Sequence, residues 1–185
     1  MLLKEYLNER KIGRRENLPF KTIIKEYKEG EQIIKAGEFE TGIYFIVSGI
    51  VEAVINNKGI EKIVDFYFPS QFPSSYLSYV SKQPSDITLN CLSDCTIEKI
   101  PIDELINTQN TSQISMQLSL HILGKNFILI VVKERDLLIK TADERYLDLI
   151  KTRPEIIQLI PNSRIAKYLG IHPSSLSRIK KTVFK

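Results

Sequence analysis

Short apolar runs, separated by glycine and polar turns, dominate the chain from about Phe20 to residue 100. The turn signals include SG at 48–49 and NNKG at 56–59. The runs themselves are IYFIV (43–47), IVEAVI (50–55), IEKIVDFYF (60–68), ITLNCL (87–92) and CTIEKI (95–100). Several short strands at this spacing predict a small antiparallel sandwich or barrel, a β-roll. Ahead of it, residues 1–12 predict a short amphipathic helix with one apolar side: Leu2, Leu3, Tyr6 and Leu7.

Beyond Pro101 the apolar positions follow a helical period. IDELIN gives a helical turn, and a long helix is predicted over 111–140. One stripe has alternating steps of four and three residues, typical of a helix seam with Glu134 as its charged interruption: Met116, Leu120, Leu123, Phe127, Ile130 and Leu137. A second stripe lies beside it: Ile114, Leu118, Ile122, Leu129 and Val132. We expect one stripe to cover the β-roll and the other to pair with a second copy. The alternative is that both belong to the core of a monomer.

The last third of the chain predicts four short helices. A capping box from Thr141 to Glu144 begins the first, which should end near Arg153 because proline follows. EIIQLI forms the second and stops at Pro161. Asn162 or Ser163 can cap the third, Gly170 suits the turn after it, and Pro173 fits the first turn of the fourth. Two short helices joined by about three residues predict a helix-turn-helix.

The final helix has two contrasting faces. Leu176, Ile179 and Val183 fall within one arc and should pack inward. Hydroxyls and cations cover the opposite arc and its flanks: Ser174, Ser175, Ser177, Arg178, Lys180 and Lys181. Arginine can bind guanine, serine can donate or accept, and lysine neutralises phosphates. These residues, with Ser163 in the preceding helix, are the predicted DNA-binding site. The alternative is an ordinary solvated surface helix.

Charge is unevenly distributed along the 185 residues. The net charge is +4, yet residues 156–185 hold six Lys or Arg and no Asp or Glu. Removing those six charges leaves −2 for the remainder, so we expect an anionic partner for the basic end, rather than a solvated tail. The longest unbroken apolar run is six residues, from Phe127 to Val132, and the N-terminus lacks a signal peptide. The sequence therefore predicts a cytoplasmic protein.

Catalytic and metal chemistry find little support in the sequence. A cupin-like metal enzyme needs two or three histidines beside a carboxylate, and the two histidines, His121 and His172, lie far apart in the chain. We expect His121 on the helix surface or at the seam, and His172 in the turn. An iron–sulfur cluster needs four cysteines; the two present, Cys91 and Cys95, should be small buried or edge residues. No enzyme activity, metal or cofactor is expected.

Two segments resemble the Crp/Fnr superfamily of bacterial transcription regulators. IAKYLGIHPSSLSRIKK resembles its helix-turn-helix, and KEGEQIIKAGEFETGIYFIVSGIVEAVI resembles its effector domain; the likeness spans about 25–181. The resemblance implies an α+β fold: an N-terminal antiparallel β-roll (a double-stranded β-helix, cyclic-nucleotide-binding-like), a long dimerisation helix and a C-terminal helix-turn-helix domain. The expected bounds are 1–110, 111–140 and 141–185. One departure is that the family's β-hairpin wing is truncated or missing before Lys185.

The same resemblance suggests roles for residues and partners. Arg178 matches the recognition-helix arginine, and the family's members are homodimers that bind near-palindromic DNA. RNA polymerase is a further expected partner. In the family's cyclic-nucleotide cassette, Ser74 and Ser75 stand for Gly-Glu, and Ser85 followed by Asp86 stands for Arg-Ser. Without that arginine the chain should not bind cAMP.

Two interpretations remain for the hydroxyl-rich segment at 74–85. It can line a pocket for an unknown small-molecule effector, formed by Ser74, Ser75, Tyr76 and Ser85, or it can be a loop without a ligand. The sequence thus predicts a homodimeric DNA-binding regulator that does not respond to cAMP. The alternative is a ligand-sensing or protein-interaction module with a vestigial helix-turn-helix.

Overall fold

The computed structural model describes residues 1–13 and 17–183, which form seven strands and eight helices. The strands are β1 Ile23–Tyr27, β2 Gln32–Ile34, β3 Gly42–Ser48, β4 Val51–Asn57, β5 Ile60–Tyr67, β6 Thr88–Cys91 and β7 Cys95–Pro101. The helices are α1 Leu3–Glu9, α2 Tyr76–Ser81, α3 Ile102–Gln109, α4 Gln113–Ile139, α5 Ala142–Thr152, α6 Pro154–Leu159, α7 Asn162–Leu169 and α8 Pro173–Val183.

The strands form the two antiparallel sheets of the β-roll. One sheet has the order β1-β7-β3 and the other β2-β6-β4-β5. Inward-facing side chains such as Ile46, Leu89 and Ile97 are almost fully buried between them. The β4–β5 hairpin turns at Lys58 and Gly59, which both have positive φ, as a two-residue turn of this kind requires. The antiparallel β-domain followed by helices, and hence the predicted α+β fold, is confirmed.

Helix α4 has two different halves. Its first half packs on the β-roll through Ile114, Leu118 and Ile122, which are buried, as part of the second predicted stripe. Its second half leaves the β-roll, so Leu129 and Val132 of that same stripe are exposed. Every residue of the predicted seam is also exposed: Met116, Leu120, Leu123, Phe127, Ile130 and Leu137. The chain therefore presents a continuous apolar face along α4.

By length and composition alone α4 could also cross a membrane, which counting unbroken apolar runs did not suggest. It has 27 residues and an 18-residue window of mean hydropathy 1.4, of which 22% is buried. This is a weak indication, because a core or interface helix of a soluble protein has the same composition. The packing of its first half on the β-roll fits such a helix.

The last four helices form a second core that rests on the β4–β5 hairpin. Buried residues of this core include Tyr146, Ile156 and Leu169, and they join the hairpin's Ile63 and Phe66 in one cluster. The capping box of α5 is present, since the Thr141 side chain accepts from the Glu144 N–H. The helical unit is therefore attached to the β-roll through a hydrophobic contact.

Three local predictions are wrong. Leu2 is 41% exposed, because α1 begins one residue later and turns that side chain outward. His121 is half-buried, because α1 packs on α4 and the Tyr6 hydroxyl lies 2.8 Å from His121 Nε2. Neither Asn162 nor Ser163 caps α7; the helix begins at Asn162 after Pro161, without a side-chain cap.

Candidate nucleic-acid interface

Helix α8 separates its apolar and polar side chains cleanly. Leu176 and Ile179 are 1% and 6% exposed and pack with Ile165, Ala166 and Leu169 of α7. The opposite arc faces solvent and carries four exposed side chains: Ser174, Ser177, Arg178 and Lys181. Ser175 and Lys180 flank it and are half-buried. A row of hydroxyls and cations is thus presented by a helix whose other side is anchored in the core.

The turn before α8 is fixed by its own backbone. Gly170 has φ of +70° and ends α7, and the Ile171 N–H donates to the Ala166 carbonyl at 3.0 Å. His172 Nδ1 lies 2.8 Å from the Ser174 hydroxyl, so the predicted turn histidine helps to hold the start of α8. These contacts give the two helices the short connection of a helix-turn-helix.

The Arg178 guanidinium is available to a ligand. Among the described residues it makes one side-chain hydrogen bond, at 3.4 Å to the Ser175 hydroxyl. Lys180 is different, because its ammonium donates to the Asn162 side chain at 2.9 Å. Ser163 is exposed at the start of α7, next to Asn162. The structure therefore brings all seven predicted DNA-binding residues onto α8 or the adjoining end of α7.

Two cations of α7 point to the β-roll instead. Arg164 pairs with Glu52 at 3.0 Å and Glu61 at 2.8 Å, and Lys167 pairs with Glu61 at 2.7 Å. We call this group the α7 clamp: Glu52, Glu61, Arg164 and Lys167. The α7 clamp joins α7 to β4 and β5, whereas the Asn162 side chain of α7 accepts from Lys180 of α8. Part of the basic charge predicted for an anionic partner is therefore neutralised within the chain.

The two carboxylates of the α7 clamp have opposite electrostatic character. Glu52 is fully buried, and burial raises its pKa although Arg164 acts in the other direction. One of its oxygens, Oε2, has no hydrogen-bond partner among the described residues. Glu61 is more exposed, and the hydrogen bond from Lys167 lowers its pKa. The α7 clamp therefore combines a desolvated carboxylate with a well-paired one.

A second polar contact fastens α6 to the hairpin. The Arg153 guanidinium, just before α6, donates to the Asp65 carboxylate and to the Phe66 carbonyl, both at 2.5 Å. Nearby, the Lys133 ammonium of α4 donates to the Val64 carbonyl and lies 4.1 Å from the centre of the Tyr168 ring. Burial lowers the pKa of Lys133. Charged groups from three helices thus meet the same strand, β5.

Three of the four predicted ligand-pocket residues are buried rather than on a surface loop. Ser74, Ser75 and Ser85 are at most 8% exposed, and the chain forms α2 immediately after Ser75. The Ser85 hydroxyl already makes hydrogen bonds within the chain, since it donates to the Ile87 carbonyl and accepts from the Ile87 N–H. The Ser74 and Ser75 hydroxyls have no partner among the described residues. The side chain of Tyr76 lies outside the described residues.

The carboxylate of Glu40 contacts the backbone of this segment, and the sequence analysis did not predict this contact. Glu40 Oε2 accepts the Ser75 N–H at 2.9 Å, and Glu40 Oε1 accepts the N–H groups of Thr41 and Gly42 at 3.0 and 3.3 Å. Glu40 is 8% exposed, and burial raises its pKa more than these bonds lower it. Only the tertiary fold brings Glu40 to Ser75, so no local motif could have indicated the contact.

Comparison with known proteins agrees with this architecture. A family model described as a cyclic nucleotide-binding domain matches residues 24–112. No curated protein matches the sequence. Among solved structures, the c-di-GMP-responsive regulator CLP of Xanthomonas campestris is 15% identical, with a TM-score of 0.68 over 88% of this chain and 86% of that one.

Two further structures are similar over comparable lengths. FixK2 of Bradyrhizobium japonicum is 18% identical, with a TM-score of 0.70 over 89% of this chain and 85% of that chain. A protein of Eubacterium rectale assigned to the Crp/Fnr family is 18% identical, with a TM-score of 0.69 over 87% and 77%. Residues 24–112 therefore match the cyclic nucleotide-binding domain family, and the chain has the fold of these Crp/Fnr-type regulator structures.

Proposed function

We propose that the protein is a homodimeric DNA-binding transcription regulator that reads its site with α8. One observation carries the proposal: Leu176 and Ile179 are buried, while Ser174, Ser177 and Arg178 on the other side of the same helix face solvent. A helix held in this way can enter the major groove, where arginine recognises guanine and serine can accept or donate. The relatives' described roles as regulators support the same function.

Dimerisation through α4 completes the interface with DNA. The apolar seam, which includes Leu120, Phe127 and Ile130, is exposed in a single chain, and a second α4 would remove it from water. A two-fold dimer would place two copies of α8 about 34 Å apart, one helical turn of DNA. This arrangement predicts a near-palindromic site.

We propose that cAMP is not the effector. The cassette positions carry Ser85 and Asp86 in place of an arginine and its neighbour, and Ser85 already bonds within its own turn. The Glu40 carboxylate accepts the Ser75 N–H, so this segment presents an acid where a cyclic phosphate needs positive charge. Titration calorimetry with cAMP should show no binding; stoichiometric heat would refute this point.

The DNA-binding function is tested by selecting bound duplexes from a random pool and measuring fluorescence anisotropy on them. Arg178→Ala should cost about 1–3 kcal/mol on the selected site and relax preference at one base pair. Lys181→Ala should weaken binding on all sequences and reduce the salt slope by about 1. Equal losses on every sequence for both variants would contradict these roles.

The alternative, a ligand-sensing or interaction module, predicts a different result from the same experiment. Such a protein would show no salt-sensitive DNA affinity at any site, and selection would enrich no sequence. RNA polymerase contact would be a further consequence of the regulator function, to be measured after a site is known.

A further inference from the structure

The second half of α4 contacts β5 and α7 through Lys133 and leaves a cleft on its inner side. Two adjoining cavities, of about 390 and 520 Å³, occupy this cleft. Both are lined by Asp65 of β5, Leu129 of α4 and Arg153 at the start of α6. The cleft therefore lies where the β-roll, the long helix and the helix-turn-helix unit meet. A volume of this size suits a small organic molecule.

A partner helix on the apolar seam would not cover the 390 Å³ cavity, because no seam residue lines it. Leu129 follows Phe127 by two residues, which places them about 160° apart around the helix. Leu129 continues the stripe of Leu118 and Ile122, and those two residues pack on the β-roll, whereas Phe127 belongs to the exposed seam. The 520 Å³ cavity reaches Leu137 of the seam, so the smaller cavity is the part of the cleft that a partner helix would leave accessible.

The wall of the 390 Å³ cavity is apolar, with Phe72, Ile122 and Leu129 among its residues. A ligand there would have a hydrophobic body, since those side chains offer no hydrogen bonds. None of the predicted pocket serines, Ser74, Ser75 and Ser85, lines this cavity, although Phe72 of its wall precedes Ser74 by two residues. The cavity and the predicted serine pocket therefore have different lining residues.

One cation of the same cavity, Lys125, is not paired with a carboxylate among the described residues. The other cation, Arg153, is paired with Asp65. The Asn126 amide and the Tyr67 hydroxyl make no side-chain hydrogen bond within the described chain, and the exposed Lys125 ammonium contacts Tyr6, through a long 3.4 Å bond to its hydroxyl and at 6.0 Å from its ring centre. These groups can donate to a carboxylate, and the lysine also supplies positive charge. Glu155, at the rim, lies 3.8 Å from Arg153.

We propose that this cleft binds a small amphipathic carboxylate, with its hydrophobic body between Phe72 and Leu129 and its carboxylate at Lys125 and Asn126. Such a ligand would touch α4, β5 and the start of α6 together, and so fix the helix-turn-helix unit against the β-roll. The regulatory consequence rests on the proposed function. Binding itself does not, because it can be measured without DNA.

Dansylglycine is a suitable probe, because it joins an apolar fluorescent ring system to a carboxylate; dansylamide is its uncharged counterpart. Titrated into the full-length protein, dansylglycine should bind once per chain, and dansylamide about fivefold or more weakly. Leu129→Trp should weaken dansylglycine by about tenfold or more, since the indole fills the cavity. Leu77→Trp, at an exposed position of α2, is the matched control and should leave binding unchanged.

Substitution of Lys125 provides a second, independent test of the proposal. Lys125→Gln should remove the preference for the carboxylate over the amide, while Lys62→Gln, at an exposed position of β5, should retain it. Circular dichroism and melting of each variant report whether it folds. Dansylglycine affinity that is unchanged in both Leu129→Trp and Lys125→Gln would overturn the proposal. Loss of DNA binding with intact probe binding would refute the proposed function alone.

Discussion

The Arg164 guanidinium lies 3.0 Å from the Glu52 carboxylate, joining α7 to a buried residue of β4. Glu61 reinforces the contact from β5, where it also pairs with Lys167. The α7 clamp leaves the exposed side of α8 uncovered. We therefore expect it to orient the helix-turn-helix unit and not to compete with DNA.

Removing one carboxylate from the α7 clamp tests whether the clamp acts on DNA affinity by orienting the helical unit or by repelling the DNA phosphates. Glu61→Gln should lower affinity for a duplex with two half-sites by about two- to fivefold, the value of a partly exposed ion pair, because a looser unit loses more entropy on binding. Anisotropy at fixed salt measures this. Glu26→Gln, on exposed β1, removes the same charge elsewhere. A rise in affinity for Glu61→Gln would show that electrostatic repulsion of DNA dominates.

The buried carboxylate of the α7 clamp should give a characteristic pH dependence. Burial raises the Glu52 pKa above its ordinary value of 4.5, so the folded state holds this proton more tightly than the unfolded state does. The stability that Glu52 contributes is therefore fully present below pH 4.5 and falls as pH rises through the raised pKa.

Glu52→Gln cannot titrate and should lack this loss. The variant should gain stability relative to the parent between about pH 4 and 8, measured by urea unfolding at several pH values. Glu61 has a lowered pKa, but this residue is present in both the parent and the variant, so its contribution to the pH dependence largely cancels in the stability difference. A stability difference that does not vary with pH would contradict the assignment of a raised pKa to Glu52.

The apolar seam of α4 should control the oligomeric state. Phe127 is 64% exposed in the single chain, and its burial in a dimer contributes about 1.5–3 kcal/mol per protomer. Phe127→Asp should therefore weaken dimerisation at least about a hundredfold. Sedimentation equilibrium measures the dissociation constant. Leu77→Asp, equally exposed on α2, should leave it unchanged; equal effects of the two variants would remove the seam's role.

The anchoring of α8 can be tested through stability alone. Leu176 is 1% exposed, so Leu176→Ala should reduce the free energy of unfolding by about 2–5 kcal/mol. Ser177→Ala, on the exposed face, should change it by less than about 0.5 kcal/mol. Urea denaturation followed by circular dichroism gives both values. Comparable losses for both would mean that the serine face is packed in solution.

Much of the fold could be predicted because its signals are local. The NNKG turn, the capping box of Thr141 and Glu144, and the glycine at position 170 each specify backbone geometry within a few residues. The two faces of α8 were predicted equally well, since a helical period of 3.6 separates Leu176 from Arg178 without knowledge of any distant contact. Helix α2 was missed, because its apolar Leu77 and Val80 are exposed and give no buried stripe.

The sequence by itself determined five of the seven described strands, β3 to β7, the long helix with its two stripes, and which side of α8 is polar. Only the tertiary structure decided that Arg164 pairs with Glu52, that the Glu40 carboxylate accepts the Ser75 N–H, and that a cleft opens between α4 and β5. The physical reason is the separation along the chain over which each interaction acts. Periodicity and capping act over one or two turns, whereas these contacts join residues that are far apart in the chain and meet only after the β-roll and the helices have packed.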